Sequence, residues 1–255
     1  MRDIKIAYII PGIGLSEDEV RRRYKIANSI IGDIGEVDIL TVDEGPLSIE
    51  NAVEEAFAAT SYLPKLHLEC NNYDAFIIGC FGDPGLRAAR ELCDKVVVGP
   101  AEASMHIASL ISDKFSILTP LDTLVPMTNE LARLYGFSEQ LASVIPVEIP
   151  VMNFINKREE SIDFVSREIK SKLSDSSGSL ILGCMSMGFA LIDEYIKDTL
   201  GIPIINPVKI SIKIAWLLSS LGLTHSRVTY PPPNFDKLQH LLVAEGGENS
   251  HVEPS

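Results

Sequence analysis

Cysteine chemistry is what this sequence offers first. Two of its four cysteines end apolar runs in matching contexts: Ala75-Phe76-Ile77-Ile78-Gly79-Cys80 and Ser179-Leu180-Ile181-Leu182-Gly183-Cys184. Each run has the length and composition of a buried parallel strand, and each Gly-Cys precedes a helix start. After Cys80, Asp83 is a candidate N-cap and Pro84 a candidate first helical residue; after Cys184, Ser186 is a candidate N-cap. A sulfur so placed lies near free backbone N–H groups and a positive helix end, which stabilise the reactive thiolate. One cysteine behind a buried strand is ordinarily a small core residue. Two in equivalent places point to a pair. A thiolate that removes a proton from one face of a carbon acid, opposite a thiol that protonates the other face, inverts that carbon without metal or organic cofactor. Cysteine, with an unperturbed pKa of about 8.5, is close enough to neutrality for either role.

Cys70 and Cys93 have no such counterparts and read as structural. No pair of cysteines has C-x-x-C spacing. A disulfide is not expected in a cytosolic chain of this size, so any special cysteine should be special as a thiol.

Positioning two sulfurs needs a scaffold, and the hydrophobic pattern supplies one. Strand-like runs occupy Ile4–Ile10, Val37–Val42, Ala75–Gly79, Val96–Val98, Ser116–Thr119, Val144–Val147, Leu180–Gly183 and Ile202–Ile205. Helical spacing lies between many of them, as in Val20, Tyr24, Ala27 and Ile31, and less regularly in Met105, Ile107, Leu110 and Ile111. Strands alternating with helices predict a parallel α/β sheet.

The pattern also repeats. Lys5-Ile6-Ala7-Tyr8-Ile9-Ile10-Pro11 resembles Lys114-Phe115-Ser116-Ile117-Leu118-Thr119-Pro120, 109 residues on, and the two Gly-Cys sites lie 104 residues apart. Each Gly-Cys is followed by a helix and then by a short strand ending in proline, at Val96–Pro100 and Ile202–Pro207. Three landmarks in the same order predict two pseudo-symmetric lobes, each a parallel sheet flanked by helices, with the active site in the cleft between them. The first lobe is expected over 1–113, with the helix near 208–222 packing back on it, and the second over 114–233. Residues 243–255 read as a disordered tail.

The 255 residues carry a formal net charge of −13, from 35 acidic and 22 basic side chains. That excess repels phosphate backbones and argues against nucleic acid as a partner. No apolar run approaches the roughly 18 residues of a membrane span. The first apolar run is short for a signal peptide and has no small-residue cleavage site. A soluble, cytoplasmic protein acting on a small-molecule substrate is the expectation.

With these residues in view, the sequence resembles the aspartate/glutamate/hydantoin racemase superfamily, and most closely its hydantoin racemase branch, from about residue 4 to about residue 233. The segment Gly79-Cys80-Phe81-Gly82-Asp83-Pro84-Gly85-Leu86 is the most specific. Gly45–Glu50, Glu102–Ser109 and Leu182–Met185 support it in the family's order. The resemblance implies a racemase or epimerase that needs no cofactor, with Cys80 and Cys184 as its two catalytic thiols. It places Thr119 at the pocket, and gives the backbone of Phe81, Gly82 and Met185 a part in holding substrate oxygens. The family's Asn-Pro-Asn-Thr segment is replaced here by Ile10-Pro11-Gly12-Ile13, so that Pro11 and Gly12 would meet the substrate through backbone. Gly12-x-Gly14 lacks the third glycine of a dinucleotide fingerprint. His106 reads as a packing or capping residue, and Glu102 as a carboxylate complementing a helix dipole or reaching towards the cleft.

A 5-substituted hydantoin or a similar cyclic ureide such as allantoin is the first substrate class. An aspartate/glutamate-type racemase is the alternative, as is a maleate isomerase or arylmalonate decarboxylase of the same fold. The decarboxylases need one of the two cysteines, and both are present here. A two-lobed small-molecule binding protein is the non-enzymatic alternative. Family members are commonly oligomeric, and a homo-oligomer is expected.

Overall fold

The computed structural model describes residues 4–242; the tail expected at 243–255 lies outside them. Strands run β1 (Ile4–Ile9), β2 (Gly35–Leu40), β3 (Ala75–Ile78), β4 (Val96–Val98), β5 (Phe115–Thr119), β6 (Leu141–Pro146), β7 (Ser179–Leu182) and β8 (Ile204–Ile205). The α-helices are α1 (Glu17–Ile31), α2 (Ala52–Glu69), α3 (Leu86–Leu92), α4 (Pro100–Ile111), α5 (Val125–Leu134), α6 (Asn153–Asn156), α7 (Arg158–Lys172), α8 (Met185–Phe189), α9 (Ile192–Leu200), α10 (Pro207–Ser220) and α11 (Gln239–Leu242). The strands form two four-stranded parallel sheets, in the orders β2-β1-β3-β4 and β6-β5-β7-β8. All eight expected strands are present. β6 begins at Leu141, earlier than its apolar run, because an edge strand tolerates half-exposed residues.

Both faces of each sheet are covered, which explains the continuous apolar strands. In β1, Ile6 and Tyr8 point to one face and Ala7 and Ile9 to the other. The first face meets Ala27 and Ile31 of α1 and Val208, Ile212 and Ala215 of α10. The second meets Tyr62 and Leu66 of α2 and Leu86 and Ala89 of α3. In the second sheet, Ile117 and Ile181 face Ala101, Met105 and Ala108 of α4 and Ala132 of α5. Leu180 and Leu182 face α7 and α9.

Helices α4 and α10 are thus exchanged. The helix after β4 lies on the second sheet, and the helix after β8 lies on the first. They pack against each other, and both bury small residues: Ala101, Ser104 and Ala108 on α4, Ser211 and Ala215 on α10. The less regular pattern read over Met105, Ile107, Leu110 and Ile111 is only partly a buried face. Met105 is buried, but Leu110 and Ile111 point to solvent.

Helix α1 departs from expectation in a similar way. Its buried stripe is Glu19, Arg23, Ala27 and Ile31, while Tyr24 is exposed. Two helix starts also differ. Gly85, in the left-handed region, precedes α3, and Cys184 itself is the N-cap of α8. Asp83, at φ 51°, turns its carboxylate away from α3 and caps α4 instead, accepting from the backbone N–H of Ala101 (3.0 Å) and Glu102 (2.9 Å).

The structure also overturns the expectation that the chain carries no disulfide, while Cys70 and Cys93 are structural as read. Cys70 and Cys93 form a disulfide that joins the ends of α2 and α3, with their Cα atoms 5.7 Å apart. Both are buried and their separation is 23 residues, so the bond closes a short loop on the side of the first sheet away from α10. Replacing both by alanine is expected to cost about 2–4 kcal/mol in chemical denaturation. Non-reducing peptide mapping would find Cys80 and Cys184 as the alkylated pair.

Candidate active site

Cys80 and Cys184 follow β3 and β7, and each is set by the glycine before it. The N–H of Gly79 donates to Ile9 O at 2.7 Å, and that of Gly183 donates to Leu118 O at 2.7 Å. A Cβ on Gly79 would lie 2.4 Å from Ile9 O, and one on Gly183 2.7 Å from Leu118 O. Only glycine lets each strand end this close to its neighbour. The repeated Gly-Cys is therefore a repeated backbone contact, and it carries both sulfurs to the same height at the carboxyl edges of the two sheets.

There they line one pocket of about 860 Å³, counting its open mouth. Pro11, Gly12, Phe81, Gly82, Thr119 and Met185 line it as well. Thr119 ends β5 in the place where Ile10 follows β1, so the second sheet contributes a buried hydroxyl where the first contributes a methyl-bearing chain. His106 and Glu102 lie outside this lining. His106 is exposed, bonds back to Glu102 O at 2.8 Å and packs edge-on to Phe137. The Glu102 carboxylate pairs with Arg90.

The segment replacing Asn-Pro-Asn-Thr has a steric reason. A Cβ on Gly12 would lie 2.5 Å from Pro46 O, and one on Gly14 1.9 Å from Leu47 O. The 43–50 segment packs directly on this loop, with Ile13 N donating to Pro46 O at 3.1 Å. Its far end reaches the other lobe. Glu50 accepts from Val151 N at 2.7 Å through its carboxylate and from Thr123 Oγ1 at 2.8 Å through its carbonyl. Pro46, Leu47, Ser48 and Ile49 thereby form one wall of the pocket.

The two sulfurs have unlike surroundings. Burial pushes both thiols up. At Cys184 this is opposed by the N–H groups of Met187 and Ser186, by the Arg23 charge and by the Ser186 hydroxyl. At Cys80 only the N–H of Gly82 opposes it, while Glu55, Cys184 and Asp83 add to the rise. Thiolate is therefore better supported at Cys184.

Arg23 is the residue that sequence reasoning missed. It is 2% exposed, lines the pocket, and donates to Glu19 at 2.9 Å and to Ser186 Oγ at 2.9 Å. Arg22 grips the same Glu19 carboxylate and donates to Phe189 O at 2.9 Å, tying α1 to α8. The signal was present in the spacing: Glu19 and Arg23 continue the four-residue step of Ala27 and Ile31. Tyr8 is buried beneath Arg23 and both sulfurs, packed edge-on to Phe189, and burial holds its phenol neutral.

Asp83 sits beside Cys80 in a second polar cluster. Burial lifts its carboxyl to about 7, against the pull of the Glu102 and Ala101 N–H groups and the Tyr135 hydroxyl. In the unfolded chain an aspartate ionises near pH 4, at about 3.9. Between those values the folded chain keeps a proton that the unfolded chain has lost. Its contribution to stability is full below about pH 4 and is lost as pH rises through about 7. Urea unfolding from about pH 5 to about pH 7 should show wild type losing on the order of 1 kcal/mol per pH unit relative to Asp83→Asn. Arg23→Met is expected to slow alkylation of Cys184 near pH 8 by about tenfold, while Cys80 changes little; peptide-resolved iodoacetamide kinetics would measure both.

Two four-stranded parallel sheets flanked by helices give this chain the fold of Asp/Glu racemases. Residues 17–215 match the family model described as Asp/Glu/Hydantoin racemase, and the chain belongs to that family. It is an isomerase of the racemase class. A hydantoin racemase from Paenarthrobacter aurescens is 34% identical over 202 residues, spanning 77% of this chain and 84% of that protein. A hydantoin racemase from Pseudomonas sp. (strain NS671) is 33% identical over 192 residues, spanning 74% and 76%. The solved structure of allantoin racemase from Klebsiella pneumoniae superposes with a TM-score of 0.83 at 28% identity, covering 91% of this chain and 94% of that one. Among the described residues no helix is long and apolar enough to cross a membrane.

Proposed function

We propose that the chain is a cofactor-independent racemase of 5-substituted hydantoins or a similar cyclic ureide such as allantoin, using Cys80 and Cys184 as its two proton-transfer groups. The observation that carries this reading is that both Gly-Cys thiols, at equivalent strand ends, line a single pocket. A thiolate on one side takes the proton from the ring carbon, and the electron pair passes to the adjacent carbonyl as an enolate. The opposing thiol returns a proton to the other face and becomes the thiolate. The sulfurs have then exchanged roles, and the reverse reaction starts from the second. Backbone N–H groups at Phe81, Gly82 and Met185 are suited to the enolate oxygen and its neighbours. Thr119 offers a hydroxyl, and Pro11 and Gly12 close the loop side.

The pocket walls favour a ureide with an apolar substituent over an acidic amino acid. Leu47, Ile49, Leu124, Met127, Val151 and Ile155 surround the space. Arg23, the cation in the lining, is already neutralised by Glu19. A second carboxylate on the substrate would find no free counter-charge there.

Single enantiomers of a hydantoin panel and an amino-acid panel, incubated in D₂O, test the reading. Wild type should racemise a hydantoin with deuterium entering at the ring carbon. Cys80→Ala and Cys184→Ala should each lose at least about 100-fold in racemisation. Unchanged racemisation in either variant would remove that sulfur from the mechanism. Turnover confined to amino acids would move the substrate class.

A further inference from the structure

We infer that Glu55 is a specificity-determining residue: its carboxylate accepts a hydrogen bond from an N–H on the nitrogen bonded to the reacting carbon. The inference rests on the racemase reading above and concerns what the pocket demands of its substrate.

Glu55 lies in the first turn of α2, is half-buried, and lines the pocket. Its neighbour Glu54 is occupied, accepting from Glu50 N at 2.6 Å. Among the described residues Glu55 has no hydrogen bond or ion pair. Its position relative to the chemistry is fixed by Gly82. A Cβ built on Gly82 would lie 2.8 Å from Oε2 of Glu55 and 3.7 Å from Sγ of Cys80. The carboxylate and the sulfur therefore flank the same α-carbon, and a substrate atom approaching Cys80 comes beside Glu55. A glycine is also what lets the carboxylate approach so near.

The charges around Glu55 are of its own sign. Glu130 of α5 faces it, and burial with that repulsion lifts its carboxyl above the usual range. The pocket's cation, Arg23, is bonded to Glu19 and Ser186. A carboxylate drawn partly out of water, opposed by a like charge and without a donor, is costly as it stands. The missing group is an N–H donor, and a charge-assisted bond to one is stronger than a bond between neutral groups. In a hydantoin the nitrogen attached to the reacting carbon carries such an N–H. In an amino acid the same place is taken by an ammonium group. Both present a donor, so the two sources need separate probes.

The test uses ligands that bind without turnover, because their central carbon carries no hydrogen. Calorimetric affinities would be measured for 5,5-dimethylhydantoin, for 1,5,5-trimethylhydantoin, in which the donor is replaced by a methyl group, and for 2-aminoisobutyrate as the ammonium probe. Wild type should prefer the N–H form over the N-methyl form by at least about tenfold, which is about 1.4 kcal/mol. Glu55→Leu, of similar size and without an acceptor, should reduce that preference to about twofold or less, and Glu55→Gln, which keeps an oxygen, should restore part of it. Equal preference in wild type and Glu55→Leu overturns the inference even if hydantoins are racemised. Binding of 2-aminoisobutyrate alone, dependent on Glu55, would uphold the acceptor and overturn the ureide reading. No binding of any probe would overturn both. Thermal midpoints of the variants would separate lost affinity from lost fold.

Discussion

Two backbone contacts fix the site. Where β3 and β7 end, Gly79 and Gly183 bring their chains against the carbonyls of Ile9 and Leu118, closer than any side chain permits. The residue after each glycine is delivered to the carboxyl edge of its sheet, facing the space between the lobes. The pocket lining depends on that geometry, with both sulfurs in it and Phe81, Gly82 and Met185 beside them. A methyl group at either glycine would push the strand end away from its neighbour and the sulfur with it.

The lobes are alike in backbone and unlike in charge. Helix α8 begins at Cys184 and gives its sulfur two N–H groups, with Arg23 and Ser186 behind them. Cys80 is followed by a turn whose polar groups are spent elsewhere, since Asp83 caps α4 and bonds Tyr135. Pseudo-symmetry therefore sets where the sulfurs are, and the side chains that differ between lobes set how readily each ionises. The two-thiol reaction proposed above would need the first property and tolerate the second.

Most of the fold was legible in the sequence because parallel strands buried on both faces are uninterrupted apolar runs, and all eight stood out. The repeat was legible because Gly-Cys follows two of those runs at nearly the same spacing as Ile-Pro and Thr-Pro follow two others. What escaped detection was long-range. Asp83 looks like the cap of the nearest helix, and only the fold shows α4 beneath its carboxylate. The burial of Arg23 is hidden because a charged side chain in a helix is ordinarily solvated; the Glu19 that accompanies it four residues earlier was the available clue. The Cys70–Cys93 pairing depends on two helix ends meeting, which no local pattern records. The exchange of α4 and α10 is likewise long-range, because a helix's own apolar pattern does not say which sheet it covers.

That exchange shapes the order in which the molecule can be completed during synthesis. The face of the first sheet formed by Ile6, Tyr8, Ile77 and Val98 is roofed in part by α10, which spans Pro207–Ser220. A ribosome has made both sheets before it makes this helix. Until then the nascent chain shows solvent an apolar surface of the kind that chaperones bind and that aggregates nucleate upon. The first half of the chain contains a complete sheet, yet one face of that sheet is covered by α10, a helix made only after both sheets.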